Sequence, residues 1–217
     1  MSDVKGIGEM VSRTFQINDF TAIDIGGSYI ISYRHSQDCS VIVEMQENLF
    51  EYLEVSVRKG KLHVGSSKSF NTSGADKRPR VYIEAPYLES ISFSGATSMG
   101  KWDKVNSQNL FISASGAVNI DICLEVEQLD ITASGASNIK LDGNAGTVKI
   151  SASGACNIKA GDLQARDTEI DVSGASNATI ACSDNLDAGA SGAARVRYTG
   201  DPAVTQRVSG AASVKRN

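Results

Sequence analysis

The sequence has few of the residues that usually mark a chemical site or a nucleic-acid surface. It contains three prolines, two histidines and one tryptophan. No run of about 18 apolar residues occurs, which excludes an ordinary membrane-spanning helix within this chain. The net charge is −4 and the isoelectric point is near 5.2. Because nucleic-acid readers normally carry a basic patch, we expect no nucleic-acid partner.

Cysteine and histidine are also too sparse and too scattered for a metal or redox motif. The four cysteines show no CxxC spacing and no companion histidine cluster, so we predict no metal site and no cofactor and expect all four thiols to be reduced. They are Cys39, Cys123, Cys156 and Cys182. The segment MSDVKGIGEMVSR at the start of the chain lacks the apolar core of a signal peptide.

What the chain does contain is the tripeptide Ser-Gly-Ala, seven times, at intervals of 18 to 21 residues. A period near 20 is typical of a solenoid. Since glycine adopts a positive φ at little cost, each tripeptide is predicted to form a corner between two strands. The corner glycines are Gly95, Gly116, Gly135, Gly154, Gly174, Gly192 and Gly210.

Alignment on the corner serines predicts two inward-facing strips. Apolar residues recur three and one positions before the serine, as at Ile131 and Ala133, and again five and seven positions after it, as at Ile139 and Leu141. The inward parity changes across the corner, which predicts a strand, a tight corner, a second strand and a return turn in every repeat. We therefore predict an all-β fold, a single-stranded parallel β-helix of about seven coils at residues 88–217.

The outward columns predict in-register stacking and supply the candidate binding residues. A column of Ser and Thr lies two positions before the corner serines. Four positions after them stands a predicted structural ladder of amides, Asn119, Asn138, Asn157 and Asn177. Six positions after them lies a candidate basic binding stripe, Lys140, Lys159, Arg197 and Lys215. The stripe is either a ligand surface or a solvated edge that prevents sheet association.

Residues 1–87 are strand-rich and are predicted to cap the repeats or to continue them. Alternation is clear at Val41–Met45 and Leu53–Val57, whereas Ser66–Arg78 is the most loop-like segment. Exposed aromatic residues in this part and just beyond it form a candidate self-association patch, with core packing as the alternative. They are Tyr29, Tyr33, Tyr52, Tyr82 and Trp102.

Catalysis has little support in the residues. Both histidines, His35 and His63, precede the repeats, and seven near-identical serines indicate architecture, since a nucleophile is needed once. We predict a non-catalytic surface module that binds a glycan or a surface protein, or serves as a structural stalk. The alternative is a carbohydrate-active β-helix enzyme, a polysaccharide lyase or a glycosidase, which would need converging carboxylates.

The repeat units SGAVNIDI, SGASNIKL, SGACNIKA and SGASNATI resemble the bacterial putative auto-transporter adhesin, head GIN domain family. The opening FTAIDIGGSYIISY is similar to that family's first strands. The resemblance implies a right-handed helix like that of pectin lyases but without their catalytic residues. It also implies a secreted or envelope-anchored protein, frequent in Bacteroidetes, with adhesion as its role, and hence a leader that is absent from this sequence.

Overall fold

The computed structural model describes residues 3–72 and 77–217, and the chain is nearly all β. One 3-10 helix spans Glu47–Tyr52. The strands are β1 (Val4–Lys5), β2 (Met10–Phe15), β3 (Ala22–Gly27), β4 (Ile30–His35), β5 (Ser40–Gln46), β6 (Leu53–Arg58), β7 (Lys61–Ser66), β8 (Phe70–Asn71), β9 (Arg80–Ala85), β10 (Ser90–Gly95), β11 (Ser98–Trp102), β12 (Val105–Gly116), β13 (Asn119–Gly135), β14 (Asn138–Ala152), β15 (Asn157–Val172), β16 (Asn177–Ala190), β17 (Arg195–Thr199), β18 (Ala203–Val208) and β19 (Ser213–Arg216). Part of the loop-like segment 66–78 lies outside the described residues.

The repeats form a parallel β-solenoid of about seven stacked turns, as predicted. Each strand pairs in parallel with its counterpart one coil away, so that Ser115 stands beside Ser134 and Ile131 beside Ile150. The register also aligns opposite charges: Lys149 and Glu169 are partners on adjacent strands, and their side chains form a 3.2 Å ion pair. This is the in-register stacking that the outward columns indicated.

The Ser-Gly-Ala corners require glycine for two reasons. All seven corner glycines have φ between +73° and +97°, where residues with a side chain are strained. A Cβ built on any of them would also lie 2.5–2.9 Å from the carbonyl oxygen of the corner glycine in the preceding coil. That oxygen belongs to the ladder, since Ala155 N–H donates to the Gly135 carbonyl at 2.8 Å. The stack of corners therefore admits no Cβ without disturbing backbone hydrogen bonds.

The core is the interior of the solenoid, and both predicted inward strips line it. Members of the strip before the corner are 0–2% exposed at Ile91, Ile112, Ile131, Ile150 and Ile170. In the strip after the corner, Ile120, Ile139 and Ile158 are 1–3% exposed. Burial ends at the last coil, where Val208 occupies the same column as Phe93 but is 45% exposed.

The N-terminal portion joins the solenoid out of chain order. Strands β3 and β4 pair in parallel with β10 and β11, so Gly27 stands beside Gly95 and forms an eighth corner. On their other side, β3 pairs with β7 and β4 with β9. Antiparallel pairs follow, β5 with β9 and with β2, and β6 with β7. The sheet is therefore continuous across residue 87, and its N-terminal end carries antiparallel strands.

The aromatic residues of this part belong mainly to the core. Tyr29 is 1% exposed and Tyr33 is 3% exposed. Trp102 is half-buried, packs against the Tyr33 ring with centroids 5.3 Å apart, and donates its indole N–H to the Ile31 carbonyl at 2.7 Å. Tyr82, at 37%, is the exposed member of the proposed self-association patch. These positions leave no continuous aromatic surface among the residues named for that patch.

Candidate functional site

Two outward faces of the solenoid meet at the corners. We call the strands before the corners, with their Ser and Thr columns, the hydroxyl face, and the strands after the corners, with the asparagines and the basic stripe, the amide face. Outward residues two apart along a strand form separate columns, and each column repeats once per coil, about every 4.8 Å. The two faces differ in chemistry because different side chains fill their columns.

The four asparagines of the amide face stand in register, Asn119 beside Asn138, then Asn157, then Asn177. The Asn138 side-chain amide donates to the Asn119 side-chain oxygen at 3.1 Å. In the described part of the chain this is the one amide-to-amide bond within the column. A hydrogen-bonded ladder along all four therefore stays a prediction, and the other amides are available to solvent or to a ligand.

The basic stripe changes character along its length. Lys140 lies beside Asp121 and forms a 3.2 Å ion pair with it. Lys159 follows, Thr179 interrupts the stripe, and Arg197 then stands directly beside Lys215. Within residues 3–72 and 77–217, no acid lies within ion-pair distance of Lys159, Arg197 or Lys215. Like charges on facing strand positions repel, so this end of the stripe holds uncompensated positive charge.

A shallow groove of about 340 Å³ runs along the amide face over the first part of this array. Its lining combines amides and cations from three successive coils, so the groove follows the solenoid axis. The lining side chains include Ser98, Met99, Asn119, Asp121, Asn138, Lys140, Asn157 and Lys159. Amide, ammonium and carboxylate groups at this spacing can hydrogen-bond a polar polymer laid along the axis.

The hydroxyl face carries a second, larger groove of about 530 Å³. It is lined by two columns of small residues, as at Thr132 and Ser134, and by the outward side chains of Asp171 and Arg207. Gly189 stands between that acid and that arginine in the register, and without a side chain of its own it lets them approach to 3.7 Å. Arg207 also bonds to Asp187 at 2.7 Å, which raises the pKa of its guanidinium.

A buried column of hydroxyl and thiol groups lies inside four of the seven Ser-Gly-Ala corners and was missed by the sequence patterns. Ser137, three positions after its corner serine, is 0% exposed and donates its hydroxyl to the Ser134 carbonyl at 2.9 Å. The equivalents in other coils make the same bond, with distances of 2.9–3.2 Å, from Thr97, Cys156 and Ser176. The signal was present as a Ser, Thr or Cys three positions after four of the corner serines, and the hydrogen bonds assign the bracing of those four corners to these groups. Val118, Ala194 and Ala212 stand at this position in the other three coils.

One of the two histidines, His63, lies on the same outward row as the hydroxyl column. His63 Nδ1 is 3.3 Å from an Asp24 carboxylate oxygen, and Ser56 stands opposite His63 in the β6–β7 pair. No hydrogen bond joins the Ser56 and His63 side chains in the described structure. The serines of the repeats lie farther along the row, so none has a histidine as a neighbour in the register. In the same described ranges, no three His, Cys, Asp or Glu side chains converge as a metal site.

The cysteines are all free, as expected. Cys156 and Cys182 are buried, whereas Cys39 and Cys123 are only half-buried and are not fully packed core residues. A hydrogen bond to the Asp142 carboxylate raises the pKa of the Cys123 thiol, so this thiol stays protonated at neutral pH.

No helix in the described part of the chain is long and apolar enough to cross a membrane.

Fold and surface together define a parallel β-solenoid whose repeated outward columns are its main chemical feature. The chain belongs to the family described as putative auto-transporter adhesin, head GIN domain, whose model matches residues 19–202. That family and the relatives below associate the chain with adhesin-like surface proteins. A comparison with curated protein sequences finds no significant match.

Solved structures agree with this membership. A putative adhesin from Bacteroides fragilis is 25% identical with a TM-score of 0.90, covering 99% of this chain and 100% of that chain. A putative adhesin from Parabacteroides merdae is 23% identical with a TM-score of 0.75, covering 100% of both chains. A putative lipid binding protein from Parabacteroides distasonis is 20% identical with a TM-score of 0.78, also covering 100% of both. The last two show the shared fold alone.

Proposed function

We propose that this chain is a non-catalytic surface-binding module of the bacterial envelope, and that its amide face binds an acidic glycan chain. The observation that carries the proposal is the pairing of Arg197 with Lys215 on adjacent strands, with no acid of the described chain within ion-pair distance of either. Facing like charges on a sheet cost roughly 0.2–1 kcal/mol. A carboxylate, sulfate or phosphate on a ligand would remove that repulsion and turn it into attraction.

The periodicity of the face suits an extended polymer. Outward polar side chains return once per coil, about every 4.8 Å along the axis. A glycan lying parallel to the axis would therefore meet amides over the coils from Asn119 to Asn177 and cations without acidic partners beyond them, at Arg197 and Lys215. Asparagine side chains donate to sugar hydroxyls and ring oxygens, and the guanidinium of Arg197 can hold a carboxylate through two parallel hydrogen bonds.

The absence of catalysis is part of the proposal and rests on the grooves. A glycosidase needs two carboxyl groups about 5–9.5 Å apart across one bond. The lining of the larger groove contains one acid, Asp171, and Arg207 already lies beside it. The lining of the amide-face groove also contains one acid, Asp121, in an ion pair with Lys140. Neither groove leaves one carboxyl to donate a proton and another to act as base or nucleophile. Two smaller clefts hold two acids each, but one acid of each pair already has a partner: His63 lies 3.3 Å from Asp24 in the cleft that contains Glu54, and Lys149 lies 3.2 Å from Glu169 in the cleft that contains Asp130.

The test is binding of the whole chain to a soluble polygalacturonate and to neutral dextran, measured by titration calorimetry. We expect binding to the acidic polymer only, weakening as salt is added. The double substitution Arg197→Gln, Lys215→Gln removes two exposed charge contacts of about 0.2–1 kcal/mol each, so the affinity should fall roughly 2- to 30-fold.

Arg58→Gln with Lys59→Gln is the matched control, because both side chains are exposed cations outside the amide face. Equal binding of the two polymers, or equal loss in the control, contradicts the proposed site. Release of new reducing or unsaturated sugar ends during the incubation would contradict the non-catalytic assignment and favour the carbohydrate-active enzyme.

A further inference from the structure

A smaller cleft, of about 290 Å³, lies beside the Ser and Thr columns of the hydroxyl face, and we call it the aromatic cleft. Two outward columns line it, six and four positions before the corner serines. Their members in three successive coils are Asn109, Gln128 and Thr147 in the first column and Phe111, Asp130 and Lys149 in the second. None of these residues lines the amide-face groove or the larger groove of the hydroxyl face. The aromatic cleft is therefore a separate feature of the surface.

Phe111 supplies the aromatic surface of this cleft. Its side chain is 54% exposed, although the residues on either side of it along the strand, Leu110 and Ile112, are buried. In the parallel register Phe111 stands beside Asp130 of the next coil. Facing positions on adjacent strands lie about 4.8 Å apart. A ligand group that lies on the Phe111 ring is therefore within reach of the Asp130 carboxylate.

Asp130 carries a negative charge that the described chain leaves uncompensated. Its other neighbour in the column is Lys149, but the ammonium group of Lys149 forms a 3.2 Å ion pair with Glu169, one coil farther on. Within residues 3–72 and 77–217, no basic side chain lies within ion-pair distance of Asp130. The aromatic cleft thus combines one exposed ring with one free carboxylate, beside a pair of charges that neutralise each other.

A guanidinium group matches this combination of side chains. It is planar, stacks on aromatic faces and presents five N–H donors. The Asp130 carboxylate can accept two of these donors in parallel. The side-chain carbonyl groups of Asn109 and Gln128, two positions before Phe111 and Asp130 in their coils, can accept others. An ammonium group has no flat face and holds its hydration water more strongly.

Charge and volume distinguish a guanidinium group from other occupants. A neutral sugar could stack on the ring, but it would cover Asp130 without neutralising the carboxylate, which costs free energy. An acidic polymer would be repelled by the same carboxylate. Pockets that enclose a whole small molecule have volumes of about 300–1,000 Å³. A cleft of about 290 Å³ is better suited to one side chain that projects from a partner.

We propose that the aromatic cleft binds an arginine side chain of a partner protein, with the guanidinium group stacked on Phe111 and hydrogen-bonded to Asp130. The site shares no residue with the amide face and does not depend on the glycan proposal. A chain with both sites would hold a glycan on one face and a protein on another.

The test is a titration of the whole isotope-labelled chain with three blocked tripeptides, followed by the chemical shifts of the backbone amides. The peptides are Gly-X-Gly with arginine, lysine or citrulline at X, and citrulline has the shape of arginine without its charge. We expect the arginine peptide to shift the amides around Phe111 and Asp130 and to bind more tightly than the other two. Added salt should weaken this binding.

Two substitutions in the cleft test the two contacts separately. Phe111→Leu keeps an apolar side chain and removes the ring, so the affinity for the arginine peptide should fall about 2- to 5-fold, the size of an exposed cation–π contact. Asp130→Asn keeps the shape and removes the charge, and a similar fall of about 2- to 5-fold is expected for the loss of an exposed ion pair.

Tyr87→Leu and Glu51→Gln are the matched controls, because they remove an aromatic ring that is 44% exposed and an exposed acid outside the cleft. Both variants should bind the arginine peptide as the parent chain does. No binding of the arginine peptide, equal binding of the lysine or citrulline peptide, or full binding by Phe111→Leu would overturn the proposal. Tighter binding of methyl β-galactoside at the same amides would identify a sugar site and overturn it as well.

The outcome can be separated from that of the glycan experiment. Phe111→Leu should keep its affinity for polygalacturonate, and the Arg197→Gln, Lys215→Gln variant should keep its affinity for the arginine peptide. Failure of the arginine peptide to bind therefore concerns the aromatic cleft alone, and failure of the polysaccharide to bind concerns the amide face alone.

Discussion

Substitution of one corner glycine tests the explanation given for the whole stack. Gly154→Ala places a methyl group on a residue at φ +93°, 2.7 Å from the Gly135 carbonyl oxygen. The left-handed backbone costs about 1–2 kcal/mol for a residue with a side chain. Overpacking against backbone that is hydrogen-bonded on the far side costs about 1–3 kcal/mol more. The lower entropy of the unfolded chain returns about 0.4–1 kcal/mol, so a net destabilisation of about 3 kcal/mol is expected.

Two other glycines serve as controls that separate the backbone strain from the steric overlap in the expected destabilisation. Gly60 has φ +71° and nothing within 4 Å of a built Cβ, so Gly60→Ala carries the backbone strain alone and should cost about 0.5–1 kcal/mol. Gly65 has neither a positive φ nor a close neighbour, so Gly65→Ala should be neutral or stabilising by up to about 1 kcal/mol.

The assay is the free energy of unfolding from urea denaturation followed by far-ultraviolet circular dichroism. The order of stability should be Gly65→Ala, then Gly60→Ala, then Gly154→Ala. If Gly154→Ala is no less stable than Gly60→Ala, the close approach between stacked corners contributes nothing, and the account of the repeated glycine as a steric requirement is refuted.

Three further measurements address the interior. Ser137→Ala removes the hydroxyl bond to the Ser134 carbonyl and should cost about 0.5–1.5 kcal/mol in the same urea assay; a neutral result would remove the bracing role of the buried column. Burial raises the pKa of Tyr29 and of Tyr33 from 10.0 to about 12, so the stability that these groups contribute is complete below pH 10 and is lost as the pH rises towards 12. Ultraviolet titration should therefore show two tyrosines that ionise last, together with unfolding. Ionisation of all six tyrosines near pH 10 in the native chain would contradict this explanation. A thiol reagent should label at most the two half-buried cysteines in the native chain and all four in urea, and rapid native labelling of more than two would contradict the buried positions, which are Cys156 and Cys182.

The repeat region follows from the sequence because its pairing partners are set by a period. Once the corner serines are aligned, the neighbour of Ile131 in the stack is the residue one repeat away, Ile150, and the structure has this pair. Parity along the strand then separates interior from exterior positions, so the apolar strips and the outward columns could be assigned before any contact was known.

The N-terminal portion could not be assigned in this way. Strand β3 lies between β7 and β10, which are about 40 and 70 residues away from it along the chain. No repeat spacing links these strands, and alternation predicts that each is half-buried without stating which strand covers it. Only the packed structure shows that Gly26-Gly27 is a corner of the solenoid rather than an ordinary hairpin turn.

The candidate sites were likewise predicted in part from the sequence and decided in part by the tertiary structure. The amide column and the basic stripe were visible in the sequence because equal side chains recur at equal offsets. Their different states were not visible: Asp121 neutralises Lys140, whereas Arg197 stands unpaired beside Lys215, because an ion pair depends on the neighbouring coil and on side-chain reach. Val208 occupies a column that the pattern marks as interior, yet it is 45% exposed. Whether a column is covered at its end is a property of the neighbouring coil, and only the tertiary structure decides it.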